Sequence, residues 1–399
     1  MERYSSMRPI ETFFNIVRKT CQSIHKRRLD CLFAAANALI NGKKLSLAGL
    51  GRNLESSAKT KHCIKRIDRL LANKKLSNEI LLLYQSMARI FLRYPREILI
   101  LVDWSPLTRC GQFQLLRAAI PMGGRAITIY EETHLEKDYE KQEIHSQFLL
   151  KLKEILPEKC RPIIVTDAGF KNPWFKAVQD LGWDWVGRIR GRTKYRWQGS
   201  KKWLLASDLH EKATLKERFL GIVELAKSNP ILCNFYLFTQ KKKHRVHLNL
   251  QGHRVRCSSS LKHARREREP WLIASSLNYS NNSAKKIIKI YKTRMQIEES
   301  FRDIKNQRNG FSMSETRTKN THRFNVLLLI GALAYFAMCL IGKIAQNMNK
   351  HHSFQSNTIK NRQVLSVFVL GCEIYRKKYI FYDYGGQSDF QDLLWPVSA

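Results

Sequence analysis

Two aspartates stand at the ends of apolar runs. Asp103 follows Ile98–Val102 (ILILV), and Asp167 follows residues 162–166 (PIIVT). Runs of β-branched residues and leucine without alternation fit strands covered on both faces of a sheet. Two adjacent carboxylates bind a hard divalent ion weakly. A third lets two Mg²⁺ ions sit about 4 Å apart and act on the attacking and leaving oxygens of a phosphodiester. The third candidate is Glu298. On a helix turning about 100° per residue, Tyr291, Arg294, Glu298 and Lys305 share a stripe about 60° wide, with Ile290, Ile297 and Phe301 beside it. A carboxylate, two cations and a tyrosine then border a buried face. Glu298 would complete a metal site, and Arg294 and Lys305 would hold the phosphates acted on there. Glu299 points to the other side, and Asp184 opens a strand at the wrong end. Taken singly, each aspartate reads as a turn residue or helix cap, and the helix as a solvated face. Their joint occurrence favours the metal site. No phosphate-cradling glycine loop, H-E-x-x-H or Ser/His/Asp order is present.

The charge balance agrees with a phosphodiester substrate. The chain of 399 residues carries 70 Lys and Arg against 33 Asp and Glu, a net +37. Its 44% hydrophobic content is that of a globular protein, which excludes a disordered basic tail or a fibre. The excess charge therefore lies on the surface, where it favours polyanions: nucleic acid first, an anionic membrane second. The nine cysteines have no C-x-x-C spacing, so neither a zinc site nor a disulfide scaffold is expected. Reduced thiols in a cytoplasmic protein are expected. Met1–Lys19 has no sustained apolar run and does not read as a secretory leader. Val326–Gly342 is 17 residues without a charge. A bilayer span wants about 20, so a buried helix is expected there, with a membrane anchor as the competing reading.

The remaining elements follow from periodicity. Residues 1–92 read as a helical domain. Arg27–Ile40 is a helix stopped at Asn41-Gly42, and Ser46–Leu54 with Thr60–Leu71 resembles a helix-turn-helix. Ile64, Ile67 and Leu71 form the apolar stripe of the second helix. Lys61, Lys65, Arg66 and Arg69 lie off it, placed for DNA phosphates or base edges, or as a solvated face. After Pro95 the order is strand, hairpin (Phe113–Ile120 and Ala126–Glu131 around residues 121–124, PMGG), helix, strand, helix, strand. This order resembles the ribonuclease H-like arrangement, in which the fourth strand pairs beside the first. The expected fold is α/β. Residues 93–190 and 281–312 form the catalytic core, the latter being a signature helix from Ala284 to about Gln307. Residues 191–280 form a β-rich insertion with basic loops at Lys241–Arg245 and Lys262–Arg268. Residues 313–399 form a helical C-terminal region expected to dimerise. Arg188 and Arg190 (in GRIRG) are expected to touch DNA backbone.

The chain resembles DDE-type transposases of bacterial insertion sequences, the group marked by Tyr-x2-Arg-x3-Glu-x6-Lys. Here the signature is complete as Tyr291, Arg294, Glu298 and Lys305. The stretches LILVDWS, IIVTDAGF and EPWLIASSL resemble the family's other blocks, and LGRNL with TKHCIKRIDRLL resembles a narrower subgroup. The likeness covers roughly residues 20–370. It fades in the insertion's basic loops and from about Tyr375. The resemblance implies that Asp103, Asp167 and Glu298 bind two Mg²⁺ or Mn²⁺ ions per site. It implies that Tyr291, Arg294 and Lys305 contact transposon-end DNA, and that Trp271 stacks on a flipped base. Trp104 matches a family tryptophan, with packing under the site as an equal reading. The implied activity is cut-and-paste transposition through a hairpin intermediate, by a homodimer on paired inverted repeats and then target DNA, with no membrane involved. A nuclease of the same fold that does not join strands, and an inactive DNA-binding relative, are the competing functions.

Overall fold

The apolar spacing of the N-terminal residues becomes a run of helices. After a short strand β1 (Arg3–Ser5) come α1 (Arg8–Thr20), α2 (Lys26–Gly42), α3 (Leu47–Arg52), α4 (Thr60–Leu71) and α5 (Lys74–Phe91). The computed structural model describes residues 3–5, 8–92, 97–108, 111–241, 253, 258, 269–277, 284–308, 310–313, 316–356, 358–359 and 362–382. It divides into two units, one of Met1–Arg161 with Met295–Ala399 and one of Pro162–Arg294. Helix α2 ends where expected, with Lys43 in the left-handed region at φ 51°. The Ser46 hydroxyl caps α3 by accepting from the Gly49 N–H at 3.2 Å. Helices α3 and α4 then touch backbone to backbone, because a Cβ on Gly51 would lie 2.6 Å from the Ile64 Cα.

The first unit continues into β2 (Glu97–Pro106), β3 (Phe113–Met122) and β4 (Arg125–Leu135), an antiparallel meander. Gly123 and Gly124, at φ 55° and 93°, make the expected turn, which side chains other than glycine would strain. Helix α6 (Gln142–Ile155) packs against β4 and α5.

The second unit is a seven-stranded sheet in the order β5-β6-β11-β10-β9-β7-β8. Its elements are β5 (Arg161–Thr166), α7 (Asn172–Asp180), β6 (Asp184–Ile189), β7 (Lys194–Trp197), β8 (Leu204–Leu205), β9 (Arg218–Leu225), β10 (Ile231–Phe238), β11 (Trp271–Ser275) and α8 (Ala284–Thr293). β5 and β6 are parallel, joined by α7 as a β-α-β crossover. The strands read as an insertion do not form a separate layer. β11 hydrogen-bonds to β6 and extends the same sheet. The basic stretches after Lys241 and from Lys262 to Arg268 lie outside the described residues.

The chain then returns to the first unit. Helix α9 (Met295–Lys305) packs on β2, β3 and β4, followed by α10 (Thr321–Asn347), α11 (Val367–Arg376) and β12 (Ile380–Tyr382), which pairs with β1. The single helix expected from Ala284 to about Gln307 is interrupted at Arg294. There the Thr293 hydroxyl donates to the Ile290 carbonyl at 2.7 Å, and the Arg294 N–H bonds three residues back, to Tyr291 O at 3.1 Å. A threonine that competes for a helical carbonyl loosens the ladder.

Helix α10 is long and apolar enough to cross a bilayer, yet 94% of its most apolar window is buried inside the protein. It is the core helix of its unit. Asn320 caps it, and Arg323 pairs with Asp68 of α4 at 2.7 Å. It crosses α11 at two glycines, Gly342 against the Val367 carbonyl and Gly371 against the Met338 carbonyl. Neither position leaves room for a Cβ without backbone movement. Gly371→Ala is expected to destabilise the unit by roughly 1–3 kcal/mol, the usual cost of overpacking. Urea unfolding followed by tryptophan fluorescence would register the loss, and an unchanged midpoint would contradict the crossing.

Candidate active site

Strand register sets the surroundings of the first expected aspartate. Asp103 on β2 lies opposite Arg117 on β3, and Arg117 lies opposite Glu131 on β4. Directly opposed residues share one face, so the three form a row across the meander. Arg117 and Glu131 are fully buried. The Arg117 Nε donates to Glu131 Oε2 at 2.7 Å, and Nη2 stands 2.6 Å from the same oxygen without hydrogen-bond alignment. Tyr84 donates to Glu131 Oε1 at 3.2 Å. Asp103 is nearly buried, and its Oδ1 accepts from the Trp104 N–H at 2.9 Å.

Helix α9 lies over this row. Ser300 meets Arg117 Nη1 at 3.4 Å, and the Phe301 ring covers the guanidinium at 4.6 Å. One edge of the helix is clamped to the hairpin. The Gly124 N–H donates to Gln296, and Arg125 reaches Asp303 at 2.5 Å and Glu299 at 3.8 Å. Tyr335 of α10 also donates to Asp303, at 3.1 Å. Glu299 is thus spent on Arg125 and Arg302, in keeping with its position off the stripe. Glu298 is two residues before Ser300, a rise of about 3 Å and a rotation of about 200°, so it lies on a different face of α9 from the serine that meets Arg117. Lys305 ends the helix with Nζ 2.6 Å from both Ser105 Oγ and Pro106 O. Burial and the Arg117 charge bring its ammonium down to about 8, and Asp103 acts the other way.

The second unit gathers the other expected residues. Asp167 follows β5, and its Oδ1 accepts from the Gly169 N–H at 2.8 Å. Buried Tyr291 on α8 lies within the field of Asp167, Arg188 and Arg294. Burial raises its hydroxyl, Arg294 and Arg188 pull it down, and Asp167 pushes it up. The phenol therefore keeps its proton and can donate it in a hydrogen bond. The half-buried Trp271 meets the Tyr291 ring edge-on, centroids 5.0 Å apart. Arg188 is drawn inward. Its Nη2 donates to the Glu269 carbonyl at 3.2 Å, and burial lowers its affinity for a proton. Arg190 is more exposed and stands 3.6 Å from the Glu269 carboxylate. Glu269 escaped the sequence reading because it lies in a run of charges.

On the helix-turn-helix, Lys61, Lys65 and Arg69 are exposed. Arg66 is half-buried and bonds to the Cys31 sulfur at 3.5 Å. Trp104 is pinned rather than free, donating its indole N–H to His145 at 3.0 Å with Tyr139 and His134 edge-on.

The family described as "Transposase DDE domain" matches residues 95–337. The chain belongs to that family. Among solved structures, this transposase is similar to a piggyBac transposase in a synaptic complex with hairpin DNA, determined by cryo-EM. The two are 12% identical over 98% of this chain and 84% of that one, with a TM-score of 0.42. No curated protein matches it. DDE transposases generally use divalent metal ions. The carboxylates expected as ligands, Asp103, Asp167 and Glu298, offer only oxygen donors, the chemistry that suits a hard ion such as Mg²⁺ or Mn²⁺. Among the described residues no three His, Cys, Asp or Glu side chains are grouped to hold an ion. One oxygen of each aspartate is turned to a main-chain N–H.

Raising the pH through about 8 neutralises Lys305 in the folded protein, whereas an ordinary lysine holds its proton to about 10.4. The unfolded chain then binds the extra proton, so this group adds stability as pH rises above about 8. A ¹³Cε-lysine NMR titration is expected to show one resonance with that midpoint, absent in Lys305→Met and shifted lower in Asp103→Asn. An unshifted midpoint in Asp103→Asn would show that the two charges do not interact.

Proposed function

We propose that the protein is a metal-dependent cut-and-paste transposase of a bacterial insertion sequence, of the Tyr-Arg-Glu-Lys signature group, with a ribonuclease H-like core. The observation that carries the reading is that Lys305 of the signature bonds Ser105 and Pro106, two and three residues beyond Asp103 on the same strand. Lys305 feels Asp103, and Tyr291 feels Asp167. An unrelated charged helix would have no reason to seat its last lysine on the strand that bears Asp103.

In this reading Asp103, Asp167 and Glu298 supply the carboxylates that hold the ions. The bound Mg²⁺ or Mn²⁺ would activate water or a 3′-hydroxyl and stabilise the leaving oxygen. Lys305, held by Ser105 and Pro106, presents an ammonium to a backbone phosphate beside Asp103. Tyr291 donates a hydrogen bond, and Arg294 adds charge on the Asp167 side. Trp271 offers a flat face to an unstacked base, as family resemblance implies. Lys61, Lys65 and Arg69 grip the element's end through phosphates, with Arg66 nearer the helix packing. Arg190 can reach DNA backbone directly, whereas Arg188 must first release the Glu269 carbonyl. The products are a nicked end, a hairpin on the excised element, and a strand joined to target DNA, made by a homodimer in the cytoplasm.

Glu298→Ala is expected to lower cleavage of a labelled terminal-repeat duplex by at least about 100-fold, the scale on which losing one charge-stabilising group acts, while leaving DNA binding intact. Unchanged cleavage would remove Glu298 from the site. Supplying a target plasmid separates the two enzymatic readings, since nicks without hairpins or joined products would leave a nuclease.

A further inference from the structure

Arg117 has no place in the expected signature, yet it is the most thoroughly enclosed charge near Asp103. It is fully buried, opposite Asp103 on one strand and opposite Glu131 on the other. It also carries helix α9, through Ser300 at 3.4 Å and the Phe301 ring at 4.6 Å. A guanidinium is a rigid planar fork, so it fixes distances that a flexible ammonium would not. The strand that bears Asp103 and the helix that bears Glu298 and Lys305 thus share a single post. Glu131 holds that post from behind, and Tyr84 holds Glu131. A hydrophobic core at this position would serve packing equally well and at less desolvation cost. Spending a buried ion pair there makes sense where orientation matters.

We propose that Arg117, backed by Glu131, is a positioning residue that sets Asp103 against the Glu298-bearing helix and thereby tunes the affinity of the carboxylates for a divalent ion. The inference rests on the proposed function, because it takes Asp103 and Glu298 as ligands. Arg117 itself touches neither ion nor DNA. Removing it should weaken metal binding and spare DNA binding. Groups that orient ligands from behind typically change metal affinity by about 10–100-fold.

The test measures Mn²⁺ binding directly, by electron paramagnetic resonance of the free ion, on the full chain without DNA. Arg117→Met combined with Glu131→Met removes both charges together, so that neither is left buried alone. This variant is expected to bind Mn²⁺ at least about tenfold more weakly than wild type, with terminal-repeat DNA affinity in EDTA within about twofold of wild type. Arg117→Lys keeps the charge but loses the fork, and is expected to shift Mn²⁺ affinity in the same direction. It stands in if the double variant fails to fold. Wild-type Mn²⁺ affinity in either folded variant would overturn the inference. Equal loss of Mn²⁺ and DNA binding would also overturn it, since that is the mark of general structural damage. Glu298→Ala separates this from the underlying reading. If it binds Mn²⁺ like wild type, or if wild type binds none, the metal site and this inference fail together. If it loses Mn²⁺ while the Arg117 variants do not, only the inference fails.

Discussion

Burying a carboxylate costs free energy unless cations and hydrogen-bond donors offset its charge. Every arrangement near the candidate site can be read as an answer to that constraint. In the first unit the answer comes from strand register. A meander of β2, β3 and β4 sets an acid, a base and an acid side by side as Asp103, Arg117 and Glu131. Lys305 arrives from α9 to place a second cation beside Asp103. The lowered proton affinity of Lys305 comes first from its burial and then from the Arg117 charge. Two cations near one aspartate disfavour each other, and the aspartate moderates the clash.

The second unit solves the same problem with different parts. There Tyr291 sits in the field of Arg294, Arg188 and Asp167. The guanidinium of Arg188 is in turn satisfied by the Glu269 carbonyl. Glu269 lies two residues before Trp271, so Arg188 of β6 and Arg190 just after it also anchor the start of β11, where the indole begins. A phenol with a raised pKa amid cations is a donor that does not add negative charge. This is what a site built for phosphate oxygens requires.

Much of this was legible in the sequence, for identifiable reasons. Buried strands such as ILILV and PIIVT are unbroken, so both strands stood out along with the aspartates that follow the runs, although β2 continues past Asp103 to Pro106. The Met122-Gly123-Gly124 turn announced its hairpin because only glycine adopts those angles cheaply. The signature residues were found by spacing alone. Arg117 was not, because a lone charge within LLRAAI reads as an edge or solvent-facing position, and only register reveals its two partners. The seating of β11 beside β6 was hidden for the same reason, being a pairing across more than eighty residues with no local cue. The length of Val326–Gly342 left two readings open. Burial of α10 on all sides, with two glycines crossing α11, is information that composition does not hold.

The break at Arg294 changes how the signature itself should be understood. Reading Tyr291, Arg294, Glu298 and Lys305 as one stripe assumes a continuous helix, and there is none. The spacing is better seen as two local placements. Tyr291 lies within α8, which packs on β6, β9, β10 and β11, and Arg294 follows it by three residues, the reach of one turn. Glu298 and Lys305 lie two turns apart on α9, whose other edge is clamped by Arg125 and Asp303. Within each helix the spacing is dictated by helical repeat. At the break the Thr293 hydroxyl and the Arg294 N–H bond back to Ile290 and Tyr291 and interrupt the helical ladder. The fixed separation of arginine and glutamate therefore records a backbone requirement rather than a shared face.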